Sequence, residues 1–512
     1  MGDFVIAYDL GTGGIKASLF DKNGKIHAKI FEAYDTFYPR EKYHEQKPMD
    51  WWNGLISTTK RILDESGAGA GDIEACAISG QSLGVVPLDS EGNVLREYTP
   101  IWSDARATEQ AGRFLNPVDY QKWYETTGGG FPIECYSIFK IMWYKEHEPD
   151  MYERASKILG SKDFCNYMLT GAMKTDFSYA SGSGVYDLKN SCYKEDFIDH
   201  AGVKRSLFPD IVSSHEIVGN ISPEASRQTG LPQTVKVMCG GVDNSCMSLG
   251  AKCYASGRSY TSLGSSAWIA VTSDEPIIDF RYKPFVFAHV VDGKYTSSAG
   301  IFSAGSSLQW IRNNVFQDFY SAEREGGKDA YEEITALAEK SPVGANKLMF
   351  NPSLAGGIMT EEDPDIRGGF MGLTLAHNRE DVARSTLEGI SLNLRHALDI
   401  LRRYQDLSDE MLLVGGGSKS AFWRQIFSDI FEMNIVKSNI DQDAASLGAA
   451  ALAFFGAGIW DGYEILDSVH QLEATEYPEP ETVKKYNRLF QAYKEISHYM
   501  AVTGKMLTEM EL

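Results

Sequence analysis

The chain has 512 residues, too many for one ordinary core, so two large domains are expected. Its 43% hydrophobic and 12% aromatic content is that of a folded protein and not of a disordered one. A formal net charge of -21 argues against nucleic acid or anionic membrane as partners, and leaves any polyanionic ligand to backbone amides, a divalent cation and a few local cations.

In chain order, Met1-Gly2-Asp3-Phe4 carries no basic region and leads straight into a strand, so no signal peptide is expected. Ile6 stands where a myristoylation motif would want Ser or Thr. Val5–Leu10, the turn Gly11-Thr12-Gly13-Gly14 and Ile15–Phe20 read as a β-hairpin, followed by a third strand around Ile26–Phe31. Such a turn lacks bulky Cβ groups, so amides can converge on an anion while Thr12 adds a hydroxyl. Asp9, directly before it, either holds a hydrated divalent cation beside phosphates or simply faces solvent. A helix is expected from Asp50-Trp51-Trp52 to about Ser66, with Asp50 as its cap.

Ile73–Ser79 reads as a buried strand ending at Gly80-Gln81-Ser82-Leu83-Gly84. That matches the GxSxG of serine hydrolases, but Val85-Val86-Pro87-Leu88 favours continued extension where a nucleophile elbow needs a helix. Gln81 and Ser82 are better read as lining a substrate cleft. Trp102-Ser103-Asp104-Ala105-Arg106 offers a sugar site its aromatic and paired charges, or else a structural Asp–Arg pair. Helices are expected around Phe139–Glu146 and Asp163–Leu169.

Strand Val235–Cys239 ends at Gly240-Gly241-Val242-Asp243-Asn244, where Asp243 could accept a proton from an attacking hydroxyl, cap the next helix, or do both. A second hairpin follows: Ser259–Leu263, the turn Gly264-Ser265-Ser266, then Ala267–Val271. Two such turns suggest two lobes gripping one phosphate chain. Later come helices Ser306–Val315 and Arg379–Tyr404, then strand Met411–Val414 with the turn Gly415-Gly416-Gly417-Ser418. Helix Ala421–Phe431, the buried Ala444–Phe455 helix and the largely helical Glu481–Met506 complete the chain. The glycine turn lacks the GxGxxG spacing and no GxxxxGK[ST] occurs, which excludes dinucleotide-binding and Walker-type readings. The apolar Ala444–Trp460 stretch is too short to span a membrane. Seven cysteines, an odd number, fit reduced thiols in the cytoplasm. Cys239, Cys246 and Cys253 recur without a CxxC pair or nearby histidine, so they read as buried small residues and not as metal ligands.

These residues together resemble the FGGY family of carbohydrate kinases over nearly the whole chain. The resemblance rests on Asp9–Gly13, Ile101–Arg106, Lys140-Ile141-Met142-Trp143, Lys162-Asp163, Leu169-Thr170-Gly171, Thr175-Asp176 and Gly240–Asn244. It continues through Leu263–Ser266, Ala304-Gly305 with Gln309-Trp310, Leu387-Glu388-Gly389 and Gly415–Ser420 with Trp423-Arg424-Gln425. It implies an α/β fold of two actin-like (ribonuclease H-like) domains with a ligand cleft between them, residues 1–248 carrying the sugar and 249–512 the nucleotide. It further implies transfer of the γ-phosphoryl of ATP, with Mg²⁺, to a sugar or polyol, in the cytoplasm, with a homodimer suggested by family habit. By position, Asp243 would be the general base, Asp9 the metal-side carboxylate through water, and Gly11, Thr12, Gly13, Lys16, Gly264 and Ser265 the phosphate contacts. Gly305, Gln309, Gly416, Gly417 and Lys419 would form the nucleotide site, and Gln81, Ser82, Leu83, Asp104, Asp243 and Asn244 would surround the sugar.

Within the family the chain is most similar to the xylulokinase-like branch. Leu83 stands where that branch places a sugar-binding histidine, Ser82 replaces a methionine and Ser265 a threonine. Leu354-Ala355-Gly356-Gly357-Ile358-Met359 lacks the GERTP-like segment. The departures bear on the sugar, with ribulose, gluconate, glycerol and erythritol as alternatives to xylulose. An actin-like nucleotide-dependent binding module without sugar chemistry is the reading from another class.

Overall fold

A computed structural model describes residues 4–116, 118–357, 359–361, 363–440 and 442–510. Met1–Asp3 and Ile358, both used above, lie outside the described residues. Two compact units emerge, and neither is one continuous stretch. The first takes 1–256, 272–296 and 443–470, and the second takes 257–271, 297–442 and 471–512.

In the first unit, strands β1 (Phe4–Leu10), β2 (Gly14–Asp21) and β3 (Ile26–Ala33) form an antiparallel meander. Helix α1 (Pro48–Ser66) then returns the chain to β4 (Ile73–Gly80), which pairs parallel to β1. Helix α2 (Ser161–Thr170), β5 (Ile217–Asn220) and β6 (Lys236–Met238) follow, giving the order β5-β6-β4-β1-β2-β3. Helix α3 (Asp243–Gly250) leaves the carboxyl end of this sheet. Strands β1 and β4 read as near-continuous apolar runs because both faces are covered there, and Val5 to Tyr8 have no exposure. The Tyr8 hydroxyl meets its one polar demand at Thr59 Oγ1 of α1, 2.7 Å away. Asp50 lies in the first turn of α1, not at its cap: Pro48 occupies N1, so the helix starts two residues earlier.

The second unit repeats the plan. Strands β7 (Ser259–Leu263), β8 (Ala267–Ser273) and β9 (Tyr295–Ile301) precede helices α4 (Gly305–Asn314) and α5 (Ala330–Ala338). Strand β10 (Glu410–Val414), helix α6 (Ala421–Phe431) and β11 (Asn434–Ser438) follow. The chain returns to the first unit as α7 (Ala444–Gly456) before β12 (Leu472–Glu476) closes the second sheet. Beyond an edge strand at Phe285–Ala288, its order, β9-β8-β7-β10-β11-β12, matches the first: a hairpin, a third strand, then a parallel strand beside the hairpin's first member.

Helix α7 is apolar on every side because it is buried on every side, packed against α3, β1 and β4. It meets α3 backbone to backbone. A Cβ on Gly448 would lie 1.9 Å from the Cys246 carbonyl oxygen, and one on Gly250 1.8 Å from that of Ala444. No helix among the described residues is long and apolar enough to cross a membrane.

Candidate active site

In the first unit, Asp9 is the last residue but one of β1 and β4 ends at Gly80, directly before Gln81, and parallel pairing sets Asp9 beside Ser79. Ser79 Oγ donates to Asp9 Oδ1 at 3.3 Å, and the Gln81 N–H donates to the Leu10 carbonyl at 2.9 Å. The β1–β2 turn and the 81–84 segment therefore share one sheet edge, where open α/β sheets present their ligand sites. No helix follows Ser82; the chain passes into strand Val86–Leu88, as its β-branched residues and Pro87 require.

One residue that sequence reasoning missed ties this edge together. Gln46 is fully buried and donates from Nε2 to the Thr12 carbonyl, 2.7 Å, and to Thr36 Oγ1, 2.8 Å. Its Oε1 accepts from Gln81 Nε2, 2.7 Å, and from Trp51 Nε1, 2.9 Å. Gln81 Oε1 is buried with no hydrogen-bond partner among the described residues, an acceptor left unsatisfied beside Gln46. Thr12 Oγ1 accepts from Trp102 Nε1 at 2.8 Å, leaving the Thr12 proton free to donate elsewhere. Ser82 and Asn244 are half-buried, while Gly11 and Gly13 shape the turn.

Two of the sugar candidates are placed differently from expectation. Asp104 has no exposed surface: Arg106 binds its carboxylate with Nε at 2.9 Å and Nη2 at 2.8 Å, and the His44 N–H donates at 2.7 Å. Of the two readings of this motif, the geometry is that of the structural Asp–Arg pair, which braces the loop carrying Trp102. Leu83 adopts a left-handed backbone, φ 62°, and turns its side chain into the core. Its carbonyl accepts from the buried Lys140 ammonium at 3.1 Å, which also reaches the Ile101 carbonyl at 2.6 Å. Burial pushes the Lys140 pKa down to about 8.

Asp243 opens α3, half-buried, with Oδ1 accepting the Asn244 N–H at 2.7 Å. Desolvation, reinforced by the Asp9 carboxylate, pushes its pKa up to about 7. A carboxylate poised there can take a proton near neutrality, which an ordinary aspartate does poorly. Lys16 reaches Asp9 Oδ2 at 3.3 Å and Asp443 Oδ1 at 3.4 Å, while Lys29 lies 2.9 Å from Asp443 Oδ2.

In the second unit the candidate nucleotide residues share one cavity of about 680 Å³. Gly264, Ser265, Gly305, Gln309, Gly416, Gly417 and Lys419 all line it. The β7–β8 turn is pinned to the start of α4: the Ser265 carbonyl accepts from the Ala304 and Ser306 N–H groups, each at 3.0 Å, and the Gly264 carbonyl from Gly305 at 2.9 Å. A Cβ on Gly305 would sit 2.4 Å from the Gly264 oxygen, so only glycine permits this approach. Beyond β10 the turn is held by Arg424, whose Nη1 donates to the Ser418 carbonyl at 2.6 Å while Glu476 binds its other edge at 2.7 and 2.9 Å. Asp329, Tyr331, Glu332 and Glu339, at and beside helix α5, form a wall that sequence reasoning missed. Asp329 shows only as a helix cap, accepting from Tyr331 and Glu332, so its second role has no local signature.

The model of the FGGY family of carbohydrate kinases, N-terminal domain, matches residues 4–250, and that of the C-terminal domain matches residues 259–457. The chain belongs to the FGGY family of carbohydrate kinases. The kinase is 31% identical over 494 residues to the xylulose kinase of Bacillus subtilis (strain 168), covering 96% of each chain. The crystal structure of a ligand-bound xylulose kinase from Lactobacillus acidophilus superposes with a TM-score of 0.89 at 25% identity, covering 98% of this chain and 99% of that one. A gluconate kinase from Lactobacillus acidophilus matches with the same TM-score, identity and coverage. The matches establish the two-domain kinase fold.

Proposed function

We propose that this kinase transfers the γ-phosphoryl of ATP to a hydroxyl of a ketopentose such as xylulose, with Asp243 as general base. The observation that carries the reading is the Asp243 carboxyl, raised to about 7 beside Asp9 at the same sheet edge as the Thr12 turn. Phosphoryl transfer passes through a loose transition state, so positioning and charge stabilisation dominate and little covalent chemistry is needed. Asp243 orients the sugar hydroxyl and takes its proton as the bond to phosphorus forms. Thr12 and the turn amides donate to phosphate oxygens, with Lys16 adding a cation from β2. The 680 Å³ cavity accommodates a nucleoside triphosphate, its phosphates toward the glycine turns and Lys419.

Asp9 fits Mg²⁺: it is a hard oxygen donor whose charge weighs on Asp243, and a divalent cation would relieve that repulsion. Bound there, Mg²⁺ would neutralise phosphate charge. Gln81 supports a polyhydroxyl acceptor, since its buried Oε1 lacks a donor that a sugar hydroxyl would supply. Gluconate would bring a carboxylate toward this acidic edge, which favours a neutral sugar over gluconate.

A coupled assay with ATP and Mg²⁺ across D-xylulose, D-ribulose, D-gluconate, glycerol and erythritol tests the reading. Turnover is expected with a ketopentose. Turnover confined to gluconate or to a polyol would replace the substrate, and no stimulation by any of the five would favour the nucleotide-dependent binding module.

A further inference from the structure

Behind Asp243 lies a fully buried charge cluster that the proposed chemistry does not use. The Lys162 ammonium sits 2.5 Å from Asp163 and 2.9 Å from Asp176, with none of the three side chains exposed by more than 1%. Burial opposes the Lys162 charge, but the two carboxylates outweigh it and hold its pKa well above the usual range. A buried ion cluster is weak evidence for added stability, because desolvation offsets most of the attraction. Its hydrogen bonds point to another use, since they converge on one short segment.

That segment is Cys239–Val242, the four residues that deliver Asp243. The Cys239 carbonyl accepts from Lys162 Nζ at 3.2 Å and from Asn166 Nδ2 at 2.7 Å. The Gly240 N–H donates to the Ser214 carbonyl at 2.9 Å, while the Ser214 hydroxyl donates to Asp176 Oδ2 at 2.8 Å. The Val242 N–H donates to Ser178 Oγ at 2.9 Å, and that hydroxyl donates to the same Asp176 oxygen at 2.5 Å. Gly240 is left-handed, φ 74°, and a Cβ there would lie 2.1 Å from the Ile78 carbonyl oxygen, so the segment is also pressed onto β4. Three successive attachment points thus run from one ion pair to the backbone beside Asp243.

We infer that Lys162 and Asp176, acting through Ser178 and Ser214, are positioning residues that seat Asp243 for phosphoryl transfer. The inference rests on Asp243 being the base. Misplacement of a reacting group by about 1 Å can cost on the order of 10²-fold in rate, so a seat of this kind governs kcat and not nucleotide affinity.

The decisive variant is Ser178→Ala, which cuts the link to Val242 without unpairing Lys162. Its kcat is expected to fall about tenfold or more, with KM for ATP and sugar within about threefold of the parent. Ser178→Thr, which keeps the hydroxyl, is expected to recover most of that loss. Amide hydrogen exchange of the peptide spanning 239–244 is expected to rise in Ser178→Ala and to stay near parental in Ser178→Thr. This readout needs no sugar, so it decides the seat even if the parent phosphorylates none of the five sugars, an outcome that would remove the proposed reaction alone. Unchanged exchange in Ser178→Ala, a kcat within twofold of the parent, or equal loss in both variants would overturn the inference. Should Ser178→Ala fail to fold, Ser214→Ala, which frees residue 214 from Asp176 while keeping its carbonyl bond to Gly240, carries the same measurements, with the same outcomes deciding.

Discussion

At the residue scale the kinase keeps one carboxyl at odds with its surroundings. Asp243 is held up to about 7 by desolvation and by Asp9, against an ordinary value of 3.8. Two consequences follow from the sign of that shift. The proposed base must be ionised to work, so kcat/KM is expected to rise on an acid limb centred at or below pH 7 in the parent, lower where Mg²⁺ offsets the Asp9 charge, measured at saturating ATP. Asp243→Asn should lower kcat by about 10²–10⁴-fold while leaving KM for ATP near parental. For stability, the folded state binds the proton more tightly than the unfolded chain, so the aspartate's contribution is fully present below about 4 and is lost as pH rises through about 7. Asp243→Asn is therefore expected to melt higher than the parent at pH 8, with the difference shrinking toward pH 5. Equal melting temperatures at both pH values would show that Asp243 is not held neutral by the fold.

At the element scale, glycines set how closely segments approach. Gly305 lets α4 dock on the carbonyl of Gly264, and a methyl group there would meet that oxygen at 2.4 Å. Gly305→Ala should push the Gly264–Ser266 turn out of place and, on the proposed reading, raise KM for ATP about tenfold or more while KM for sugar stays near parental. Isothermal titration with ADP checks the same loss without catalysis. Gly448 does the equivalent work between α7 and α3, where a Cβ would lie 1.9 Å from the Cys246 oxygen. Gly448→Ala forces two packed backbones apart, an overpacking cost of about 1–3 kcal/mol. It should lower both the melting temperature and kcat, because α3 begins at Asp243.

At the scale of the whole molecule, the chain crosses between its compact units five times and returns to the first unit twice. Residues 443–470 return to the first unit, bringing α7 against β1 and β4, with Asp443 beside Lys16 and Lys29. A fragment of residues 1–256 would leave that apolar face bare, and it is expected to be insoluble or to lack a cooperative thermal transition. A fragment that melts cooperatively as a soluble monomer would show that α7 is dispensable to the first unit. The single division at residues 248/249 follows the order of the chain; packing follows instead the burial that α7 needs.

The elements themselves were legible. Both hairpins, the parallel strands and the main helices announce themselves through glycine turns, β-branched runs and capping residues, because local sterics and apolar periodicity act over a few residues. The positions of Asp9, Thr12 and Asp243 could be read in the same way, since each stands near a strand end, in a turn or at a helix start with its own local pattern. The roles of Gln46, Leu83, Asp104 and the α5 wall could not. Leu83 was expected at a sugar and lies in the core, and Asp104 is enclosed by Arg106 and His44, because a side chain's direction depends on which distant segment covers it. Lys162 and Asp176 lie 14 positions apart, a spacing with no recognisable period; only folding converges them on the segment before Asp243. What the chain determines alone is the order of strands and helices and the chemistry available at their ends. The tertiary structure decides which of those groups are desolvated, paired or left open, because burial and charge coupling exist only once remote segments meet.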